Sequence, residues 1–252
     1  MREKAIEIVK RHFPKGNEKL FATKRSFVSV GSVTEGGRYI SVDEVKDPVA
    51  ACLNELLTEH GFKYLKSQSA FKRNSSSGID LIRIVSYDYT HYHFDFHFYK
   101  RIDAVQKHLT KYNFENQFNS QSDYKKQETT WVCYGNIKDK IEAISFNKLA
   151  EETISLLVFL NNEILPYFPL LDSMEKLNDA LNYPEKDESN HFSYFSREQF
   201  YAYAAEAGLI TAKLVNDPNY DKIMKKHLAN EHAIEEKITK LDEFLKRELS
   251  LT

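Results

Sequence analysis

Residues 92–101, YHFDFHFYKR, place a phenylalanine at every second position from Phe94 to Phe98, with polar or tyrosine side chains between. Successive side chains on a strand point to opposite faces, whereas a helix would scatter these rings around its axis. The segment is therefore expected to be a strand that buries Phe94, Phe96 and Phe98. Its other face carries His91, His93, Asp95, His97, Tyr99 and Arg101.

The neighbouring text extends this into a sheet. IDLIRIVSY (79–87) is a second strand, and Asp88-Tyr89-Thr90 is a plausible turn between the two. FKYLK, SAFKRN and ETTWVCYGN (128–136) supply further strands, with Ser75-Ser76-Ser77-Gly78 as a loop. Upstream, SFVSVGSV and RYISVDEV around Glu35-Gly36-Gly37 read as a hairpin. Consecutive strands with short links favour an antiparallel meander.

Helical spacing marks the rest. Ile6, Val9 and Phe13 predict a short first helix that stops at Pro14-Lys15-Gly16. Asp47-Pro48 reads as an N-cap followed by an N1 proline, opening VAACLNELLTEHG, and Gly61 suits the left-handed position after its end. IDAVQKHLTKY is a further helix candidate. From Asn147 onward the period becomes 3.6, with Leu149, Ile154, Leu157, Val158 and Leu165 facing a core and Pro166 as the stop. LLDSMEKLNDAL follows, and NYPEKDESN (182–190) is the linker candidate. Ser196-Arg197-Glu198-Gln199 is a capping box before a helix ending near Asn216, Asp217-Pro218 restarts the chain, and Ile234, Ile238, Leu241, Leu245 and Leu249 line a terminal helix. The expected fold is α+β, an antiparallel meander of four to six strands packed by helices, with an all-helical C-terminal part. Residues 1–183 form the α+β domain and 184–252 the helical extension.

Composition narrows the function. Lysine and arginine (35) nearly balance aspartate and glutamate (37), a net charge of −2, so there is no general basic field for nucleic acid. Eight glycines supply no GxxxxGK[ST], GxGxxG or GxSxG, and HExxH is absent, so no cofactor is expected. Glu44-Val45-Lys46, at an expected strand end, reads as solvated surface. MREKAIEIVKRHF lacks an apolar leader core and the best apolar run, TISLLVFL, is short, so a cytoplasmic protein without a membrane span is expected, with Cys52 and Cys133 as free thiols. Trp131 is expected in a core, and His60 as a helix C-terminal cap.

The histidine face admits two readings. Side chains two apart on a strand sit about 6.5–7 Å apart, so adjacent pairs among His91, His93, Asp95 and His97 can share an ion, while His93 and His97 at about 13 Å cannot on a straight strand. A metal-dependent hydrolase would need a further ligand, with His108 or Asp88 as candidates. No metal ligand set is assigned. The other reading is a partner-facing surface, since tyrosine and arginine are enriched at interface hot spots.

Gly61-Phe62-Lys63, Phe71-Lys72-Arg73 and Ile164-Leu165-Pro166 carry a resemblance. Residues 50–180 resemble an uncharacterised bacterial domain family with a helix ending in a "GFK" turn, an F-x-R strand, an aromatic β-meander and a closing "ILP" helix. That resemblance implies no catalytic residues; it suggests a binding module of the immunity kind found near bacterial conflict genes. The leading expectation is a non-enzymatic, macromolecule-binding protein with a possible protein partner at His91, His93, Asp95, His97, Tyr99 and Arg101. Self-association through the Ile234–Leu249 stripe is a third expectation.

Overall fold

Helix α1 (Arg2–His12) forms where the spacing of Ile6, Val9 and Phe13 predicts it, but its buried face is Ala5, Ile8 and Val9, with Ile6 and Phe13 only half-buried. The structure, a computed structural model, describes residues 1–22, 37–88, 91–116, 141–183, 201–229 and 234–249. Helix α2 (Val42–Glu59) starts earlier than Asp47-Pro48 suggested. Ser41 accepts from the Glu44 backbone N–H, and the Glu44 carboxylate accepts from the Ser41 N–H at 2.9 Å. This capping box satisfies two amides that a helix start otherwise leaves unpaired. Pro48 lies inside the helix, in its second turn, where it cannot donate a backbone hydrogen bond. Glu44-Val45-Lys46 therefore lies on a helix and not at a strand end, with Lys46 paired to Asp43 at 2.9 Å. At the far end Gly61 adopts φ 81° as expected. The His60 carbonyl there accepts from Arg73 Nη1 at 3.0 Å.

Strand β1 (Lys19–Ala22) pairs in parallel with β2 (Gly37–Ile40), Leu20 opposite Arg38. Residues 38–45 were expected as one arm of an antiparallel hairpin turning at Glu35-Gly36-Gly37; the strand instead includes Gly37, ends at Ile40 and pairs with Lys19–Ala22, where no strand was expected. The other arm, 26–33, lies outside the described residues. Strands β3 (Lys63–Leu65), β4 (Ala70–Asn74), β5 (Gly78–Asp88), β6 (Tyr92–Ile102) and β7 (Ile141–Glu142) form a sheet in sequence order. Tyr64 faces Phe71 and Phe94 faces Ile141 in its antiparallel ladders. This is the expected α+β meander. The strand expected at 128–136, with Trp131 and Cys133, lies outside the described residues.

The chain packs as two compact units. One comprises Met1–Arg73, Leu81–His97 and Asn136–Pro166. There α1, α2 and α4 (Phe146–Phe159) pack on one another, burying Val49, Cys52, Leu53, Leu149, Leu156 and Leu157. Pro166 was expected to end α4. The chain instead widens into a π turn (Leu160–Ile164) and continues as α5 (Leu165–Leu170). A proline ring collides with the carbonyl four residues back, and a widened turn relieves that collision.

The other unit comprises Asn74–Asp80, Phe98–Gly135 and Tyr167–Thr252. Helices α3 (Asp103–Glu115), α6 (Met174–Asn182), α7 (Tyr201–Leu214), α8 (Tyr220–Leu228) and α9 (Glu235–Leu249) share a core that includes Val105, Leu109, Leu177, Ile210, Leu241 and Leu245. The α9 stripe proposed for self-association is thus largely spent inside the unit: Ile238, Leu241 and Leu245 are buried. The linker expected at 182–190 overlaps the end of α6 at Asn182, which is buried; residues 184–200, including the capping box expected at Ser196-Arg197-Glu198-Gln199, lie outside the described residues. Among the described residues no single helix is long and apolar enough to cross a membrane.

Gly78 closes the serine turn, its carbonyl accepting from the Ser75 N–H at 2.9 Å. A Cβ there would meet the Arg101 carbonyl oxygen at 1.9 Å, so backbone must move to admit a methyl group. Gly78→Ala is expected to lower stability by about 1–3 kcal/mol, the usual cost of overpacking, read as a lower urea midpoint.

Candidate functional site

Phe94, Phe96 and Phe98 are buried, as their alternation requires. The opposite face of β6 is not the open surface expected of it. Asp95, His97 and Tyr99 are buried as well. β6 lies inside the sheet between β5 and β7, and period-2 patterning tells which residues share a face, not whether something covers it. The strand's polar residues are held separately. His91 Nδ1 lies 2.6 Å from the Leu20 carbonyl, and its ring stacks on Phe21 with centroids 5.3 Å apart. His93 Nε2 is 3.6 Å from Glu142 across the ladder. Burial pushes the His97 imidazole below its ordinary pKa, against the pull of the Asp95 carboxylate. These four belong to the first unit, Tyr99 and Arg101 to the second. Among the described residues no group of three histidine, cysteine or carboxylate side chains is placed to hold one metal ion.

A residue absent from the expected site anchors the second unit. Lys100 continues the Phe94–Phe98 face by two positions, and its side chain is 0% exposed. Its Nζ donates to Asp80 at 2.8 Å and to Ser75 Oγ at 3.3 Å, and pairs with Asp172 at 2.7 Å. Ser77 Oγ also donates to Asp172. Burial raises the Asp172 carboxyl pKa, but hydrogen bonds from Lys100 and Ser77 outweigh it, and the net position is below the usual carboxylate range. An ammonium has three donors, and all three are used here, so this is a tie between β5, β6 and the turn before α6 and not an available nucleophile.

Other buried polar groups are also committed to packing. Asn182 Nδ2 donates to Asn178 Oδ1 at 2.8 Å and to the Gly208 carbonyl at 3.0 Å. Its Oδ1 is left to accept from His227 Nε2 at 3.1 Å. Burial, and then Lys226, pushes the His227 imidazole down to about 4. Asp217 accepts from Asn178, Tyr183 and the Asn219 backbone, joining the segments around α6 and α8.

The outer face of α3 is organised differently. Its inner side sends Val105, Leu109 and Tyr112 into the core. Its outer side, through Asp103, Gln106, Lys107, Thr110, Lys111 and Phe114, lines a shallow groove of about 590 Å³ together with Arg101 at the end of β6. Phe114 is 55% exposed, high for a phenylalanine. Arg101 Nε donates to Asp103 at 2.8 Å, and Lys111 pairs with Glu248. Lys107 makes no ion pair among the described residues. Arg101 is the one residue of the expected partner face that lines this groove. His108, a candidate extra metal ligand, lies on the same helix, its imidazole pKa lowered by burial and then by Lys107.

No family model matches the sequence, and no curated protein or solved structure shows significant similarity to it.

Proposed function

We propose that the protein is a non-enzymatic, cytoplasmic module that binds another protein, as an immunity partner would, and that it docks through the outer face of α3. The observation that carries this reading is Phe114, an exposed ring on a helix whose other side is fixed in a core, set in one groove with Lys107 and Lys111 of that helix and Arg101 of β6. Aromatic and arginine side chains on a rigid support are the usual anchors of an interface. The resemblance of residues 50–180 to a bacterial domain family of binding type belongs to the same proposal, as does the cytoplasm, where the buried thiol of Cys52 stays reduced. The partner face is shifted from the centre of β6, where Asp95, His97 and Tyr99 are covered, to the helix that follows it.

Co-purification tests this directly. A partner retained by the wild-type protein is expected to be lost from Phe114→Ala and Lys107→Glu, both exposed positions, with melting curves unchanged. Equal retention by all three proteins contradicts the α3 face. The competing reading, a metal-dependent hydrolase at His91, His93, Asp95 and His97, has the less support because those side chains do not converge. Elemental analysis of the purified protein is expected to find no stoichiometric zinc, manganese or iron. A bound metal lost on His93→Ala would reverse the preference.

A further inference from the structure

We propose, resting on the reading of α3 as a docking face, that the partner presents an extended acidic segment ending in an apolar side chain, and that Glu248 of this chain occupies part of its site when the partner is absent. The argument starts from spacing. Lys107 and Lys111 are one helical turn apart, about 6 Å along the axis at 1.5 Å per residue. Alternate residues of an extended chain repeat at about 6.6 Å. Carboxylates at positions i and i+2 of an extended segment therefore match the two lysines, and the next same-side residue, i+4, about 13 Å from the first, reaches just past Phe114, which lies about 10.5 Å along α3 from Lys107 and within the span of a long apolar side chain.

The charges on this face favour carboxylates over a polyphosphate. Lys107 has no ion pair among the described residues, whereas Lys111 is paired with Glu248 and Arg101 with Asp103. Cations are thus interleaved with acidic groups, and Glu115, paired with Arg247, adds another on the same helix. A nucleic-acid backbone laid along α3 would meet these acids, and the chain as a whole carries a net charge of −2. A short peptide with two carboxylates needs only two cations, and its apolar residue removes the exposed Phe114 ring from water. The Lys111–Glu248 pair shows that the groove already accepts a carboxylate there. Its side chains are 50% and 18% exposed, so the exchange of one carboxylate for another needs no opening of the core.

Fluorescence anisotropy with the full-length protein decides the matter. The probes are a labelled peptide with a Glu-Gly-Glu-Gly-Leu core, the same peptide with lysine for glutamate, the same with alanine for leucine, and a labelled oligouridylate. The acidic, leucine-bearing peptide is expected to bind about tenfold more tightly than each of the others, more strongly at low salt than at physiological salt. Lys107→Glu should weaken it about tenfold, and Glu248→Gln, which frees Lys111, should tighten it a few-fold. Equal binding of acidic and basic peptides, tighter binding of the oligouridylate, or indifference to Lys107→Glu overturns the acidic-segment proposal. Unchanged or weaker binding by Glu248→Gln overturns the role of Glu248. A partner that cross-links through position 114 by a segment without acidic residues sinks this chemistry while leaving the docking reading intact; no contact at 114 sinks the docking reading itself.

Discussion

Lys100→Ala is expected to be among the most damaging single substitutions in the chain, costing about 3–5 kcal/mol, the range seen when one partner of a buried ion pair is removed. The cause is less the loss of attraction than what is left behind. Asp80 is fully buried, and Asp172 is three-quarters buried, so both carboxylates lose the ammonium they share in a place water barely reaches. The same reasoning predicts an asymmetry. Lys100→Met combined with Asp80→Asn and Asp172→Asn removes the charges together and should recover most of the loss, because a buried ion cluster adds little over a neutral, well-packed replacement. Urea midpoints of the single and triple variants check both statements. A Lys100→Ala protein as stable as wild type would mean that the cluster is open to solvent.

A second large effect concerns acid. His227 is buried and neutral, its pKa lowered from 6.5 to about 4 because its charged form is poorly solvated and Lys226 is close. Between those values the unfolded chain binds a proton at this residue and the folded chain does not, so stability rises with pH across the window. The contribution is fully present above about pH 6.5 and is lost progressively as pH falls toward 4. The loss approaches about 3 kcal/mol, since each unit of pKa difference is worth about 1.4 kcal/mol. His97 and His108, also lowered by burial, act with the same sign. His227→Gln, which keeps a donor for Asn182 Oδ1, should flatten the slope of unfolding free energy between pH 6.5 and 4. An unaltered slope would place the acid sensitivity elsewhere.

The parts of this architecture that were legible are those set by local period. YHFDFHFYKR had to be a strand with its phenylalanines inward, and the terminal stripe from Ile234 had to be a helix. The Lys100 tie was also readable in part: by alternation Lys100 falls on the phenylalanine face, and a lysine continuing a core face needs a buried acid nearby. What alternation could not supply was Asp172, 72 residues further on, whose approach depends on how α5 turns into α6. The start of α2 was written in Ser41-Val42-Asp43-Glu44, a capping-box pattern, but the β-branched run around it and the Asp47-Pro48 pair pointed to a later start. The parallel pairing of β1 with β2 has no local signature, because the two strands meet through tertiary packing. The same limit explains the histidine face. Period showed that His91, His93, Asp95 and His97 share a side, but the covering of that side is a property of the whole fold. The α3 groove left only a faint trace in the sequence: the helical pattern of IDAVQKHLTKY stops at Tyr112, two residues short of Phe114, while the helix itself runs on to Glu115.

The claim that the protein works by docking through α3 is tested most directly by site-specific photo-cross-linking. A benzophenone-bearing phenylalanine analogue placed at Phe114 is expected to give a discrete cross-linked species in cells that make the protein, and Lys107→Glu in the same chain should abolish it. The same analogue at Leu170, also exposed but outside the groove, should give none. Cross-linking at Leu170 but not at Phe114, or a Phe114 product indifferent to Lys107→Glu, would contradict the account.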